Sequence, residues 1–386
     1  MIVINDNSKC CGCAACAQRC PRHCIQMLED DEGFLYPQID ISSCVNCGLC
    51  ERVCPMLNEL EAARPKSVYA GHCLDEIVRK TSSSGGVFTR LADLCIAEGG
   101  VVFGVKFNAK WEPEFACAEN REACKEFRGS KYAQAIVGDA YKIAENYLKQ
   151  GRKVLFSGTP CQIAGLNTYL RKKYDNLITV DIVCHGVPSP GVWRQYLSEY
   201  VDFTLPKGAM LTEVNFRDKT KGWRDFGISF SYVLNGTKYV NYQSKYDNSY
   251  MKLFLADVIL RPSCYSCSKK RGSSGSDITI GDFWGIEQTY PSLSTDEGHT
   301  AILVNSPKGD KYIKSVDVAL YEVDYDDVIK YNSAYVRCST PHPRRTKFFR
   351  ERKRKKLIAY GLKCTKRTIV ERIIKKITSI FKILDA

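Results

Sequence analysis

The sequence predicts a small α+β module built on two cysteine quartets, then a larger α/β domain, then a basic helical tail. Three observations carry this. Cys10, Cys13, Cys16 and Cys20 recur as Cys44, Cys47, Cys50 and Cys54, each 34 positions later, and each quartet reads C-x2-C-x2-C-x3-C-P. From residue 99 onward, short apolar runs of strand length alternate with stretches whose apolar residues fall at helical spacing. Beyond Pro343 the composition turns basic and aliphatic.

The quartets have the spacing of bacterial two-cluster ferredoxins. Three thiolates at x2 intervals let one tight loop wrap three irons of a cubane, and the fourth, just before proline, crosses to the other cluster. Cys10, Cys13, Cys16 and Cys54 are thus expected to hold one 4Fe–4S cluster, and Cys44, Cys47, Cys50 and Cys20 the other. Zinc is the rival reading, because C-x2-C pairs also suit a tetrahedral ion. Two complete quartets, each ending in Cys-Pro, weigh against it. Cys24–Leu28 and Phe34–Asp40 read as short strands between the halves, which makes residues 1–60 a ferredoxin-like unit.

A chain of 386 residues exceeds one average domain, and 44% hydrophobic with 26% charged residues is ordinary for a globular protein. The 20 cysteines are not ordinary. Met1–Asp6 has neither a basic nor an apolar signal region, and no apolar run is long enough to span a bilayer. The thiols are therefore expected to bind metal in a reducing cytoplasm. The net charge of +13 comes entirely from residues 344–386, where 16 Lys and Arg face 3 Asp and Glu; the rest balances to zero. A body built to wrap nucleic acid is excluded on that ground. The tail, with Ile369, Val370, Ile373, Ile374, Ile377, Ile380 and Phe381 near helical spacing, reads as a basic amphipathic helix for peripheral contact with an anionic membrane or an acidic partner. Packing on its own domain is the alternative.

Glu59–Pro65 reads as a linker and Ser67–Cys73 as the first strand of the next domain. The run Arg79–Gly86 precedes a helix over Val87–Ala97, where it serves either as a plain Ser N-cap or as an anion cradle. Gly99–Phe107, Lys153–Phe156 and Leu177–Val183 read as buried strands, with helices over Ile136–Gln150, Ile163–Leu170 and Trp193–Val201. Asn235–Gly236 marks a hairpin within a β-rich stretch, 211–242. A helix over Asn248–Leu260 leads to Cys264-x2-Cys267, and Ser276–Gly285 and Thr300–Asn305 read as further strands. Gly309–Val316 is helical. Functional residues are expected at the carboxyl ends of the strands.

Among the twelve cysteines outside the quartets, Cys161, Cys184, Cys264 and Cys267 each sit beside Gly, Pro or a turn, and could form a third 4Fe–4S site; small buried hydrophobes are the alternative. Cys11 and Cys24 read as packing residues near the first cluster, and His185 as a hydrogen-bonded structural residue.

The stretches Arg79-Lys-Thr-Ser-Ser-Ser-Gly-Gly, Gly129-Ser-Lys-Tyr, Ser157-Gly-Thr-Pro-Cys-Gln-Ile-Ala-Gly-Leu, Cys184-His-Gly-Val-Pro-Ser-Pro, Phe216-Arg-Asp-Lys, Cys264-x2-Cys267 and Asp277-Ile-Thr-Ile-Gly-Asp-Phe-Trp occur in that order. Together they resemble the family of coenzyme F420 hydrogenase/dehydrogenase beta subunits over roughly residues 65–340. The resemblance implies an α/β iron–sulfur flavoprotein domain with a flavin-binding region at 66–145, a third-cluster region at 146–340 and the tail at 344–386. Carried over, Lys80, Ser83, Ser84, Gly85 and Gly86 would line FAD, with Ser130, Lys131 and Tyr132 close by. Thr159, Pro160 and Gln162 would lie between flavin and the cluster of Cys161, Cys184, Cys264 and Cys267. Relatives often have Gln in place of Ser83.

The function this implies is an oxidoreductase passing electrons between ferredoxin-type clusters and a hydride carrier, such as the deazaflavin coenzyme F420, or an organic substrate through FAD. Ferredoxin or another redox protein would be the partner. A ferredoxin-dependent reductase of polysaccharide biosynthesis and an electron-relay component of a larger complex are the alternatives.

Overall fold

The computed structural model describes residues 1–365. Its strands are β1 (Ile25–Glu29), β2 (Leu35–Ile39), β3 (Ser67–Cys73), β4 (Val101–Phe107), β5 (Pro113–Ala118), β6 (Val154–Gly158), β7 (Leu177–Ile182), β8 (Met210–Asp218), β9 (Gly227–Leu234), β10 (Thr237–Ser244), β11 (Ile278–Asp282), β12 (Thr300–Val304) and β13 (Val318–Glu322). Alternation along the central strands gives each two buried faces. Val154 and Phe156 join one core with Val101, Phe103 and Leu177, while Leu155 joins another with Val102, Ile178 and Val180. Such doubly covered strands suit a parallel sheet. β4, β6, β7 and β11 are parallel neighbours, and antiparallel strands complete an eight-stranded sheet in the order β13-β3-β12-β11-β7-β6-β4-β5. The helices Val87–Ala97 and Pro307–Lys314 cover one face. Ala140–Lys149 and Pro160–Leu170 cover the other.

β8, β9 and β10 form a separate antiparallel meander, with the expected turn at Asn235 and Gly236, both at positive φ. The meander packs on the helices Pro190–Phe203 and Ser249–Leu255 through an aromatic core that includes Trp193, Tyr196, Phe216, Phe230 and Tyr250. Two expected helices are shorter than their patterns. Ile136 bridges to Glu114 and Gly138 takes a positive φ, so that helix starts at Ala140. The other ends at Leu255, because Asp257 is left-handed and Arg261 precedes Pro262 in extended geometry. β5 and β13, both at the sheet edges, had no clear alternating signature.

The N-terminal module consists of the β1–β2 hairpin and two short helices, Ala15–Arg19 and Leu49–Arg52. It has little core of its own. Cys11, Cys13, Ala15 and Val53 join the core of the main sheet, and Phe34 and Tyr36 join that of the meander. A third element closes over it. The described part of the basic tail folds as two helices, Arg345–Arg352 and Leu357–Thr365, with Phe348, Leu357 and Cys364 buried in the meander core. Arg345 pairs with Glu32 (Nη1–Oε1 2.8 Å) and Lys353 with Asp31 at 3.0 Å. Residues 345–365 thus take the alternative expected for the tail, packing on its own domain. Ile369 to Phe381 lie outside the described residues. Among the described residues no helix is long and apolar enough to cross a membrane.

Asp181 on β7 makes a testable case. It is buried, accepts a hydrogen bond from Ser274 Oγ at 2.6 Å, and burial raises its carboxyl from 3.8 to about 6. The folded state therefore holds this proton more tightly than the unfolded chain, and stability is lost as pH rises from about 4 through about 6. Asp181→Asn should raise stability by up to about 3 kcal/mol at pH 8 and by less at pH 5, as thermal unfolding at the two values would read.

Candidate functional site

Three sets of thiols and one cleft stand out. In the outer set, Cys20, Cys44, Cys47 and Cys50 surround a small pocket at the far end of the N-terminal module, with Cys24 beside Cys20 at 3.3 Å between sulfurs. Backbone N–H groups already point at sulfur here: Ile2 N to Cys50 Sγ at 3.3 Å and Asn46 N to Cys44 Sγ at 3.4 Å. Cys47 is exposed. In the inner set, Cys13, Cys16 and Cys54 are buried and Cys10 partly so. Burial, with Cys10 and Cys54 close by, pushes the Cys16 thiol up to about 12.

The third set is assembled over long range. Cys161 opens the helix after β6, Cys184 follows β7, and Cys264 and Cys267 sit on and just after the turn Pro262–Ser266. All four line one cavity of about 30 Å³, along with Cys11, Pro160 and His185. Val187 N points at Cys264 Sγ (3.4 Å), and Thr159 Oγ1 lies 3.2 Å from Cys161 Sγ. Burial pushes Cys184 up to about 12. Such thiols are protonated in the free protein, so metal binding must displace their protons. Among the described residues no group of three or more His, Cys, Asp or Glu closes tightly enough to hold a single metal ion. Thiols spaced around a pocket, with N–H groups facing sulfur, fit a cubane rather than one zinc.

Cys11 lines the cavity of the third set and shares one buried cluster with Cys13 of the inner set and Cys161 of the third, so the two sets are neighbours. On the other side of the third set, His185 Nε2 donates to Asp257 Oδ1 at 2.6 Å, the structural role expected of it. Its ring meets Phe254 at 5.3 Å, Phe254 meets Tyr132 at 4.8 Å, Tyr132 meets Phe216 at 5.5 Å, and Phe216 meets Phe107 at 6.4 Å. Phe107, at the end of β4, lines the cleft.

The cleft encloses about 1250 Å³ between the loop 125–131, the meander and residues 218–222. Of the residues expected near FAD, Lys80, Ser130 and Lys131 line it. Lys131 is partly buried, donates to the carbonyls of Arg128 and Gly129, and is lowered by burial to about 7. Ser83 lies just behind, its hydroxyl 2.9 Å from that of Ser130. Ser84 donates to His299 O, and Gly85 packs so close to the sheet that a Cβ would stand 2.5 Å from Gly71 O. Gly86 opens the helix Val87–Ala97 in left-handed geometry without a side-chain cap, so the plain Ser cap is not realised. Pro160 lines the third thiol cavity and Thr159 stands beside Cys161, while Gln162 Oε1 caps its own helix, accepting from Thr159 N and Oγ1 at 2.9 Å.

Spacing gives no hint of the network beneath the cleft. Arg217 makes a bidentate pair with Asp282 at 2.7 and 3.0 Å, and also donates to Ser83 O and Tyr132 Oη. Burial works against this guanidinium, and the Asp282 carboxylate more than restores its charge. Lys219 donates to the carbonyls of Arg79, Ser84 and Glu297, and burial lowers it to about 7. The network pins the Ser run to the carboxyl end of β11. Only the ordered occurrence of Phe216-Arg-Asp-Lys and Asp277–Trp284 marked these positions.

Fold and thiols together define a two-module iron–sulfur protein, a dicluster unit seated on an α/β body. Residues 9–57 match the 4Fe-4S dicluster domain. Residues 68–141 and 151–327 match the N- and C-terminal parts of the coenzyme F420 hydrogenase/dehydrogenase beta subunit. The chain belongs to that family and is an iron–sulfur electron-transfer protein of it. An uncharacterized protein of Methanocaldococcus jannaschii is 24% identical over 363 residues, covering 83% of this chain and 90% of that protein. One of the subunits of the F420H2 dehydrogenase of Methanosarcina mazei is 26% identical over 165 residues, covering 40% of this chain and 46% of that relative. A chain of the F420-reducing NiFe hydrogenase complex from Methanosarcina barkeri overlays with a TM-score of 0.43 at 16% identity, covering 73% of this chain and 97% of that one.

Replacing Arg217 with Met would leave the partly buried Asp282 carboxylate with the Trp223 indole N–H at 2.8 Å as its remaining side-chain donor among the described residues. The expected loss of stability is about 3–5 kcal/mol, and Asp282→Leu in the same chain should restore part of it. Denaturant unfolding of the single and double variants checks both.

Proposed function

We propose that the protein is an iron–sulfur flavoprotein oxidoreductase, passing electrons between two ferredoxin-type clusters, a third cluster, FAD, and a hydride carrier or organic substrate. The observation that supports it is continuity. The outer and inner thiol sets share one small module, Cys11 lies in one buried cluster with Cys13 and Cys161 and lines the third set's cavity, and a row of rings leads from His185 to the cleft. Bound FAD would supply the exchange between a two-electron hydride and the single electrons that clusters carry.

The chain's own residues do the remaining work. Cys20, Cys44, Cys47 and Cys50 hold the outer cluster, Cys10, Cys13, Cys16 and Cys54 the inner one, and Cys161, Cys184, Cys264 and Cys267 the third. Thr159 Oγ1, beside Cys161, orients that ligand. Lys80, Lys131 and Ser130 offer two cations and a hydroxyl to the phosphates of FAD, with Ser83 and Arg217 holding the loop behind them. Exposed Val3, Ile41 and Val45, close in sequence to the outer thiols or the N-terminus that packs on them, suit the docking of a ferredoxin or similar redox protein. A relay component within a larger complex is the second reading, favoured by the relative that is itself part of a dehydrogenase of several subunits. Turnover of the isolated chain with coenzyme F420, NADH or an organic acceptor and reduced ferredoxin supports the first; a strict need for another protein of such a complex supports the second.

Anaerobically purified protein should contain about twelve iron atoms and release about one FAD per chain. Cys264→Ser with Cys267→Ser should remove about four of those irons and spare the ferredoxin-type pair. Eight irons in the fully reconstituted native protein would remove the third cluster from this reading.

Lys131 supplies a pH test. Held near 7, its ammonium is mostly neutral at pH 8, and an anionic ligand beside it restores the charge. FAD binding at pH 8 should therefore take up protons, and Lys131→Met should abolish part of that uptake. Calorimetry in two buffers of different ionisation enthalpy reads the proton count directly.

A further inference from the structure

Arg261 is the one arginine among the largest fully buried side chains of the described residues, at 0% exposure. A buried cation needs an opposite charge, since taking it out of water costs several kcal/mol. None of its hydrogen bonds goes to a carboxylate. Nε donates to Cys10 O at 2.8 Å, Nη1 to Gln134 Oε1 at 2.8 Å and Nη2 to Leu35 O at 3.0 Å. The remaining hydrogen bond is Nη2 to Cys10 Sγ at 3.6 Å, and the rings of Tyr36 and Phe34 face the guanidinium at 4.1 and 5.4 Å without supplying a formal opposite charge. The acids nearest its neighbour Tyr36 are engaged elsewhere: Asp30 accepts from the backbone N–H of Glu32 and Phe34, and Glu32 pairs with Arg345.

The guanidinium also lies against the loop that presents the inner thiols. A Cβ at Gly12 would stand 2.9 Å from its Cζ, and Gly12 has φ +71°. Three residues later in the chain comes Cys264 of the third set, whose N–H donates to Arg261 O at 2.9 Å. One cation thus stands between two sets of four thiols, fixed to the ligand loop of one and the ligand turn of the other.

We propose that Arg261 is the shared counter-charge of the inner and third clusters, holding their reduction potentials above that of the outer one so that electrons are drawn inward. The proposal rests on the cluster assignment made above. A cubane held by four thiolates is anionic and gains one more negative charge on reduction, so a fixed neighbouring cation favours the reduced form. Positive charge on Arg261 therefore stabilises the clusters it touches, while Cys44, Cys47 and Cys50 are not among its contacts.

The test is an EPR-monitored redox titration of anaerobically purified holoprotein, native, Arg261→Met and Arg261→Lys, each with its iron content measured. In Arg261→Met the equilibrium constant for reducing the inner clusters should fall tenfold or more, about 59 mV for a one-electron couple, with the outer cluster unmoved. Arg261→Lys keeps the charge and loses the fork, and should shift by less than tenfold. Unmoved inner potentials in Arg261→Met at full iron content overturn the proposal, as does a tenfold shift in Arg261→Lys. Should Arg261→Met fail to retain iron, the Lys variant decides alone by the same limit. Too few irons in the native protein would overturn the cluster assignment itself, which separates that failure from this one.

Discussion

The seating of the loop Cys10–Cys16 on the α/β body is the contact on which the rest of the structure depends. Gln134 and Arg261 hold the loop by the carbonyls of Cys11 and Cys10, Thr168 holds Val53 O at 2.8 Å, and Gln18 accepts from Tyr141 N at 2.9 Å. These are hydrogen bonds to groups that would otherwise be buried without partners, and each unmade one costs about 1–3 kcal/mol. The module has no independent core large enough to fix its own orientation, so its place is set by what it buries against the body. Two thiol sets become neighbours as a result, although their residues lie far apart in the chain.

Much of the metal chemistry was legible from residue spacing, because the ligands of a cubane in a short loop are fixed by local geometry. The parallel core was legible too, since strands buried on both faces leave unbroken apolar runs such as Val154–Phe156. Long-range partners leave no such mark. Nothing near Arg217 in sequence announces Asp282, and nothing near Glu32 announces Arg345. The third thiol set lay between these cases: its C-x2-C pair is visible, but the convergence of Cys161 and Cys184 upon it follows only from the parallel order of β6, β7 and β11. The basic composition of residues 344–365 was plain, yet charge alone did not distinguish a free helix from one whose cations meet Asp31 and Glu32 while its apolar residues fill the body.

The cleft illustrates how site chemistry and fold stability pull against each other. Lys131 and Lys219 are both lowered to about 7 by burial, so the body carries ammonium groups it would hold more easily without their protons. Their hydrogen bonds all go to backbone carbonyls, which orient them without neutralising them. Residues arranged in this way are poised for an anion from outside. Beside them, the Arg217–Asp282 pair is satisfied internally and serves as scaffold.

The two C-terminal helices impose an order of events on how the molecule is made. Arg345 and Glu32 are 313 positions apart, and Lys353 and Asp31 are 322 apart. The dicluster module leaves the ribosome before the α/β body but is clasped only after it, once residues 345–353 have emerged and found it. During that interval, while the chain grows at about 5–20 residues per second, Asp31 and Glu32 lack the two cations that later meet them, and the module is held by its contacts with the body alone.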